Sequence, residues 1–543
     1  MASRSDRGRL TPSDRQVIAA QDYGAVAPDP LDPDIVYGGR LVRFDRRTGQ
    51  AQDVMPPRDR VRRVLETAPL LFSPRNPRAL FFGADRLWRT LDAGEEWTAL
   101  GPDRPPPQVE LPSSLGVHGA LAEAPAGALQ SLAISPVDVA VMWVGSDDGQ
   151  LHLSRDDGQT WMAVTPPDVR AWARVSGIEA SHFDVNTAYV AVDASGIDDR
   201  GAYVYRTRDG GRRWTLAAGG LPENTPVHSV REDLQRRGLL FAGTARGVYV
   251  SFDDGDRWQS LRLNMPAAPV RDLVVKDEDL IVATEGRGFW VLDDIMPLRQ
   301  LTPDVASADA YLFRPATSWR ARWRPPQEEP PDSGEPSWPS PPEGVTLSYL
   351  LGPRAAGDVT LEIVETLTGT VLRRFTSDEP GHELPTEPGL HRVVWDLRAS
   401  PPVGDTDDGA GAVPGPWILP GTYQVRLTSG AAIQRQAVLV KLDPRVKTSP
   451  VDLTAQLRTS RALAEAMRKL VDARRSIRQR LAATGTSAEL NAAAAALDAA
   501  LGPLADAFSS IQAVDARPTP AMEAAAATAL HEAAAALALF TQP

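Results

Sequence analysis

The sequence predicts a mainly β protein: a six- to seven-bladed β-propeller, an immunoglobulin-like or fibronectin-like β-sandwich, and a C-terminal α-helical hairpin or three-helix bundle. Three observations support this prediction. A motif of the form Ser/Thr-x-Asp-x-Gly-x-x-Trp occurs four times between residues 90 and 258. Alternating β-rich segments return over 345–444, and the apolar period changes from 2 to 3.6 after Pro444. The length of 543 residues also suits three or four domains.

The repeated motif predicts a β-hairpin turn that stabilises itself. Its Asp carboxylate accepts backbone N–H groups, its Gly permits a positive φ, and its Ser or Thr hydroxyl adds a local hydrogen bond. Its Trp buries a large apolar surface between strands. We therefore expect the Asp and Trp of every copy to be structural. The four copies contain Asp92 and Trp97, Asp156 and Trp161, Asp209 and Trp214, and Asp253 and Trp258.

Each copy lies among four short β-rich segments, which is the composition of one propeller blade. Two weaker units, Val26–Val54 and Val270–Leu292, flank the four clear ones, so the sequence predicts six blades. A seventh is completed if the N-terminal segment pairs with Ala310–Phe313, because propellers often close by joining the two ends of the chain. The predicted propeller covers residues 1–313.

The remainder of the chain divides by composition. Residues 314–344 are rich in Pro, Glu and Ser, which predicts a semi-extended linker. Residues 345–444 alternate between apolar and polar side chains and predict the sandwich. Residues 445–543 have helical periodicity, with breaks at Gly485 and at Pro518 and Pro520, and predict the helical domain.

Composition and charge exclude several kinds of chemistry. The chain has no Cys, so disulfides, thiolate nucleophiles and Cys-held metal clusters are ruled out. The net charge of −12 argues against nucleic acid or an anionic membrane as the main partner. No apolar run is long enough to span a bilayer, and the N-terminal residues lack the apolar core of a signal peptide. The seven His residues lack metal-ligand spacing and no nucleotide-binding glycine motif occurs, so we expect no metal and no cofactor.

The four motif copies resemble Asp-boxes, the repeats of sialidases, xyloglucanase-type glycoside hydrolases and sortilin-like propellers. The stretch from Arg231 through Asp294 resembles bacterial proteins of the glycosyl hydrolase or sortilin-like type. This resemblance implies carbohydrate or protein binding, a secreted or periplasmic location, and correspondence to the C-terminal half of a longer layout. Glu285 stands where that family usually has His in Thr-His-Gly-Arg, and no Arg-Ile-Pro motif occurs, so we do not expect sialidase activity.

We expect function on the propeller face opposite the Asp-boxes, where loops surround the central channel. These loops are the turns between second and third strands and the links between blades. Carboxylates, arginines and an aromatic group on one rim suit a sugar or peptide ligand. The candidate catalytic acids are Asp147, Asp148, Asp198 and Glu285. The candidate ligand-binding residues are Trp172, Arg174, Asp199, Glu223, His228, Arg246 and Arg287.

Three functions fit these residues. The first is a recognition module for a glycan or a protein segment. The second is a xyloglucanase-like glycoside hydrolase in which two rim carboxylates act as acid and as base or nucleophile, about 5–5.5 or 6.5–9.5 Å apart. The third is a scaffold that self-associates through the helical tail, residues 446–543.

Overall fold

A computed structural model describes residues 17–18, 24–102, 127–322, 338–355, 357–378, 384–403, 413–485 and 487–541. It also describes short strands at Ala2–Ser3, Arg9–Leu10 and Arg15–Gln16. The chain forms two compact units. The first consists almost entirely of Leu10–Ile295, and the second of Met296–Gly334 and Trp338–Pro543.

In the part of the first unit that the structure describes, six successive antiparallel sheets of three or four strands form the blades of a β-propeller. The inner strand of each blade contacts the neighbouring blade along the series. Five blades have four strands and the sixth has three. From inner to outer, the strands are Val26–Pro28, Ile35–Gly38, Val42–Asp45 and Gln50–Asp53 (blade 1); Leu70–Phe72, Leu80–Gly83, Leu87–Thr90 and Thr98–Gly101 (blade 2); Leu129–Ile134, Met142–Ser146, Leu151–Ser154 and Met162–Ala163 (blade 3); Arg174–Ala180, Ala188–Asp193, Tyr203–Thr207 and Thr215–Leu216 (blade 4); Val227–Glu232, Leu240–Thr244, Gly247–Ser251 and Gln259–Ser260 (blade 5); and Val270–Lys276, Asp279–Thr284 and Phe289–Leu292 (blade 6).

Apolar side chains pack between neighbouring blades, because the second strands of blades 1 to 5 are buried on both faces. Trp143 of blade 3, for example, shares a core with Val175 and Val190 of blade 4. The approach is close enough that a Cβ built on Gly145 would lie 2.3 Å from Val175 Cγ1. Glycine is therefore needed at this point of contact between blades.

The Asp-box turns join the third strand of a blade to the outer strand. In blade 3, Asp156 Oδ1 accepts hydrogen bonds from Ser154 Oγ at 2.9 Å and from Thr160 N at 2.8 Å. Each Asp-box Trp also donates its indole N–H to a backbone carbonyl of the preceding blade and thus joins two blades. The four bonds run from Trp97 to Val54 (2.8 Å), from Trp161 to Leu100 (2.8 Å), from Trp214 to Val164 (2.8 Å) and from Trp258 to Ala217 (2.9 Å).

The second unit begins earlier in the chain than the sequence predicts. The strand Ala310–Leu312 pairs antiparallel with Val345–Leu351, and Leu312 packs into the apolar core that these strands share. The prediction that Ala310–Phe313 completes a seventh blade with the N-terminal segment is therefore wrong. Within the predicted linker, Ser318–Arg320 pairs in parallel with Val440–Leu442. The rest of that linker lies partly outside the described residues.

Two sheets of the second unit face each other across one core. Buried side chains such as Leu347 and Trp395 from one sheet join Leu361 and Val425 from the other. The first sheet has the order Ala310–Leu312, Val345–Leu351, Gly389–Trp395. The second has the order Ser318–Arg320, Ala432–Leu442, Gly421–Ser429, Val359–Glu365, Val371–Thr376.

The sequence predicts either a helical hairpin or a three-helix bundle at the C-terminal end of the chain, and the structure has the bundle. Two short helices, α1 (Met296–Gln300) and α2 (Pro303–Ala306), come earlier in this unit. The bundle consists of α3 (Pro450–Thr484), α4 (Ala488–Gln512) and α5 (Pro520–Thr541) around one apolar core. No helix among the described residues is long and apolar enough to cross a membrane.

Candidate functional site

A cleft of about 660 Å³ lies on the propeller face opposite the Asp-box turns. In an antiparallel blade, the turn between the second and third strands and the link to the next blade lie at one end, and the Asp-box turn lies at the other. The cleft is built from the second-to-third turn of blade 4, the link from blade 4 to blade 5, and Arg170. We call it the blade-4 cleft. Its lining residues are Arg170, Asp198, Asp199, Arg200, Gly201, Ala202, Tyr203, Ala218, Leu221, Pro222, Glu223 and Asn224.

Local hydrogen bonds fix the turn that carries the acids. A single 3₁₀ turn, Ser195–Ile197, follows the second strand of blade 4, and Asp198 ends it with a left-handed φ of 59°. The Asp193 carboxylate accepts the backbone N–H of Ser195 at 3.0 Å. Asp199 N then donates to Ala194 O at 3.2 Å. A short polar residue such as Asp198 is well suited to the left-handed position, and this conformation allows Asp199 to follow it directly in the turn.

The Asp199 carboxylate is occupied by hydrogen bonds and an ion pair with residues of the cleft wall. It forms an ion pair with Arg170, and it accepts hydrogen bonds from Tyr203 Oη and Gly201 N, both at 2.9 Å. Burial raises the pKa of Asp199, but these hydrogen bonds and the Arg170 charge outweigh burial and hold the pKa below its usual range. Asp199 is thus a stable anion that positions Arg170 and Tyr203.

Asp198 and Glu223 differ from Asp199, because within the described ranges neither carboxylate has a hydrogen-bond or ion-pair partner in the protein. Both are exposed and line the same cleft. Arg200, also exposed in the cleft, has no partner among these residues either. The cleft therefore presents two uncompensated carboxylates to a ligand, beside one uncompensated guanidinium.

A network of charged and polar side chains links blades 4, 5 and 6 on the same face. His228 Nδ1 lies 3.5 Å from the buried Asp193 carboxylate, and Arg174 lies 3.9 Å from it. Arg271 Nη1 lies 3.5 Å from His228 Nε2, and Arg271 Nε donates to Glu285 at 2.8 Å. Burial raises the pKa of Asp193, but hydrogen bonds from His228 and Ser195 outweigh burial and lower the pKa. Of the predicted site residues, Arg174, His228 and Glu285 thus belong to one network.

The structure separates the four predicted catalytic acids. Only Asp198 lines the cleft. Asp147 pairs with Arg63 at 2.6 Å and accepts Ala128 N at 2.8 Å. Asp148 is buried, where it accepts hydrogen bonds from Ser146 Oγ and, at 3.2 Å, from Gln150 Nε2. Asp147 and Asp148 therefore hold the blade 3 turn together.

The predicted ligand-binding residues are also distributed. Asp199 and Glu223 line the cleft. Trp172 is only 8% exposed, so its ring is not a stacking surface for a ligand. Arg246 and Arg287 are exposed on the second-to-third turns of blades 5 and 6, outside the cleft.

Sequence reasoning missed Tyr203 and Asn224 as parts of the site. Tyr203 follows the acidic turn directly, and a polar aromatic residue at the start of a third strand was the available signal. Asn224 has a left-handed φ of 53° in the link that carries Glu223. Where the chain is described, no group of three His, Asp or Glu side chains is arranged to hold a metal ion.

Comparison with known proteins shows distant similarities. No protein-family model matches the chain. A xyloglucanase from a Paenibacillus species is 25% identical over 214 residues, which cover 36% of this chain and 20% of that enzyme. The chain thus matches about a fifth of the length of this relative.

Among solved structures, the GH74 xyloglucanase from Xanthomonas campestris matches with a TM-score of 0.37 and 16% identity, over 76% of this chain and 66% of that chain. YCF48 from Cyanidioschyzon merolae matches with a TM-score of 0.36 and 12% identity, over 53% of this chain and 90% of that chain. These similarities are distant, and they concern the β-propeller fold.

Proposed function

We propose that the protein is a recognition module that binds a cationic protein segment in the blade-4 cleft. The observation that supports this proposal is the pair of uncompensated carboxylates, Asp198 and Glu223, in a cleft of about 660 Å³. Lys or Arg side chains of a ligand would give these acids partners, and such complementary charges favour specific association. From the family resemblance, we also propose that the protein is secreted or periplasmic and that its sandwich is immunoglobulin-like.

The lining of the cleft favours a protein segment over a glycan. Stacking on a sugar needs an exposed aromatic ring, and Trp172 is buried. Tyr203 is the aromatic residue of the cleft, but its hydroxyl is bonded to Asp199, and its ring is parallel to that of Tyr205 at 6.4 Å between centroids. Leu221 and Pro222 supply apolar contacts that suit a peptide backbone and side chains.

Peptide and glycan arrays test the proposal. We expect wild-type protein to bind Lys- and Arg-containing peptides, and the double variant Asp198→Asn/Glu223→Gln to lose that binding by about tenfold or more, because two charge-assisted contacts are removed. Glu95→Gln/Glu96→Gln is a matched control, since it removes two exposed acids from an Asp-box turn on the opposite face. Binding confined to glycans, or equal binding by both double variants, would contradict the proposal.

A xyloglucanase-like glycoside hydrolase is the second candidate. It is supported by the 25% identity to a xyloglucanase over 214 residues and by the presence of two free carboxylates in one cleft. In this alternative, Asp198 and Glu223 act as the acid and as the base or nucleophile. New reducing ends after incubation with xyloglucan, abolished in Asp198→Asn, would establish it. Xyloglucan left intact by the wild-type protein would reject it.

A further inference from the structure

Arg200 gives the blade-4 cleft a positive charge that the proposed function does not use. Its side chain is exposed and lines the cleft, and it has no ion-pair or hydrogen-bond partner within the ranges that the structure describes. Arg170, in the same cleft, is by contrast paired with Asp199. A free guanidinium repels a ligand that carries positive charge alone, because like charges brought together at an interface oppose association. The presence of Arg200 therefore favours a ligand that also carries a negative group.

The backbone that carries Arg200 is held in place on both sides. Before it, Asp198 has a left-handed φ of 59°. After it, Gly201 N donates to Asp199 Oδ1 at 2.9 Å, and a Cβ built on Gly201 would lie 2.6 Å from Cζ of Tyr203. The Tyr203 ring thus packs directly against the backbone of the turn, and its hydroxyl donates to Asp199 at 2.9 Å. The turn is preorganised, while the guanidinium that it presents remains available to a ligand.

The same turn places a free acid close to this free base. Asp198 and Arg200 are two positions apart, so their Cα atoms are separated by no more than about 7 Å. Both side chains are exposed in the cleft, and they do not form an ion pair with each other. Asn224, in the link that carries Glu223, is also exposed in the cleft and offers a side-chain amide. The cleft therefore presents a site for an anion beside its site for a cation.

We propose that the blade-4 cleft binds the C-terminal residue of a protein segment that ends in Lys or Arg, and that Arg200 pairs with the terminal carboxylate. This inference rests on the proposed function, which assigns the basic side chain of the ligand to Asp198 and Glu223. A guanidinium matches the two oxygens of a carboxylate with parallel N–H groups, which makes such a pair both strong and specific in geometry. Capture of a terminal carboxylate is a recurring mode of peptide recognition.

A terminal carboxylate suits this turn better than an acidic side chain within a segment. In an extended segment, neighbouring side chains point to opposite sides, so a Glu next to the bound Lys would point away from the turn. A C-terminal Lys or Arg instead carries its cation and its carboxylate on one residue. Only that residue has to be ordered for both contacts to form, which lowers the entropic cost of binding.

Isothermal titration of the full chain with three matched peptides tests the source of the carboxylate. The first peptide ends in Lys with a free carboxylate, the second is the same peptide amidated at its C-terminus, and the third has Glu added after the Lys and is amidated. We expect the first to bind about tenfold or more tightly than the other two, because a charge-assisted contact is lost in both. Equal binding of the first two peptides would overturn this inference and leave the proposed function standing. Binding of none of them would overturn both, and a third peptide as tight as the first would reject the terminal carboxylate.

Variants of Arg200 test its part in this preference. We expect Arg200→Gln to lower the affinity for the free-acid peptide by about tenfold or more, and not to lower binding of the amidated peptide, which shows that the cleft remains folded. Arg200→Lys should keep part of the preference, because the charge is retained. Arg212→Gln is the matched control, since it removes an exposed Arg from the Asp-box turn of the same blade on the opposite face. A preference that survives in Arg200→Gln, or one that is lost in Arg212→Gln, would overturn the assignment.

Discussion

The Asp-box aspartates are each bonded within their own turns, which makes those turns sensitive to protonation. Thr160 holds the pKa of Asp156 below its usual range through its hydroxyl and its backbone N–H. The backbone N–H of Glu96 does the same for the pKa of Asp92, and that of Arg213 for the pKa of Asp209. Each ionised carboxylate is therefore stabilised more in the folded chain than in the unfolded chain.

Acid should therefore destabilise the propeller through these turns. Because the folded pKa values lie below the unfolded value of about 3.9, the stabilisation is complete above that pH and is lost as the pH falls through the folded values. We expect the free energy of unfolding to fall more steeply below about pH 4 in wild type than in Asp92→Asn/Asp156→Asn/Asp209→Asn. Urea titrations followed by Trp fluorescence measure this slope. Identical slopes in the two proteins would show that the turns do not depend on these charges.

The Asp-box Trp residues should contribute to stability by joining blades. Trp258 is buried, and its indole donates to Ala217 O of the preceding blade at 2.9 Å. We expect Trp258→Ala to lower the free energy of unfolding by about 3–5 kcal/mol, since a large side chain and a buried hydrogen bond are lost together. The control is Trp319→Ala, because Trp319 is 46% exposed. Equal losses in both variants, measured by denaturant unfolding, would contradict this role.

At the residue scale, the sequence could predict which loops carry charge but not which charges are free. Asp198, Asp199 and Glu223 come together because the turn and link of one blade meet at one end of it. Asp147 is neutralised by Arg63, 84 residues earlier in the chain, and no local pattern announces such a partner. Trp172 likewise depends on tertiary packing for its burial.

At the scale of elements, one buried ion pair connects the sandwich to the helices of the second unit. Arg320, in a sandwich strand, and Arg322 both bond the carboxylate of Asp515, between α4 and α5, at 2.6 and 2.5 Å. Arg320 is 1% exposed and Asp515 4%. Both guanidiniums also lie over the ring of Trp417. Two charges removed from water are thus satisfied only while the strand and the bundle stay together.

Removing Asp515 should loosen this connection. We expect Asp515→Ala to cost about 3–5 kcal/mol, because it leaves a buried guanidinium unpaired. Asp506→Ala, at an exposed position on α4, should change stability by less than about 0.5 kcal/mol. Urea unfolding followed by circular dichroism at the helical signal compares them. A loss for Asp515→Ala no larger than that of the control would mean that the ion pair contributes nothing net.

Strand assignment from sequence depended on length and pairing. Blades 2 to 5 repeat a motif with a fixed turn, so the order of their strands could be predicted. Ala310–Leu312 and Ser318–Arg320 have three residues each and pair with strands far along the chain. Strands of three residues are too short to show an alternating hydrophobic pattern. The second of them also lies in the Pro-rich segment after residue 314, whose composition predicts a linker.

At the scale of the whole molecule, repetition made the architecture predictable, whereas the proposed binding site depends on one irregular loop. Propeller, β-sandwich and three helices follow from periods that can be read along the chain. The blade-4 cleft does not repeat, because it depends on a 3₁₀ turn and two left-handed residues, Asp198 and Asn224. The proposed recognition of cationic segments rests on that loop and on the link that carries Glu223.

Charge reversal in the cleft tests this claim most directly. Isothermal titration would compare wild type with Asp198→Lys/Glu223→Lys, using one pool of Lys- and Arg-containing peptides and a second pool in which these residues are replaced by Glu. We predict that wild type binds the basic pool, more weakly at high salt, and that the reversed variant loses it and binds the acidic pool. Unchanged binding of the basic pool by the reversed variant, or no binding of that pool by wild type, would contradict a cationic ligand in the blade-4 cleft.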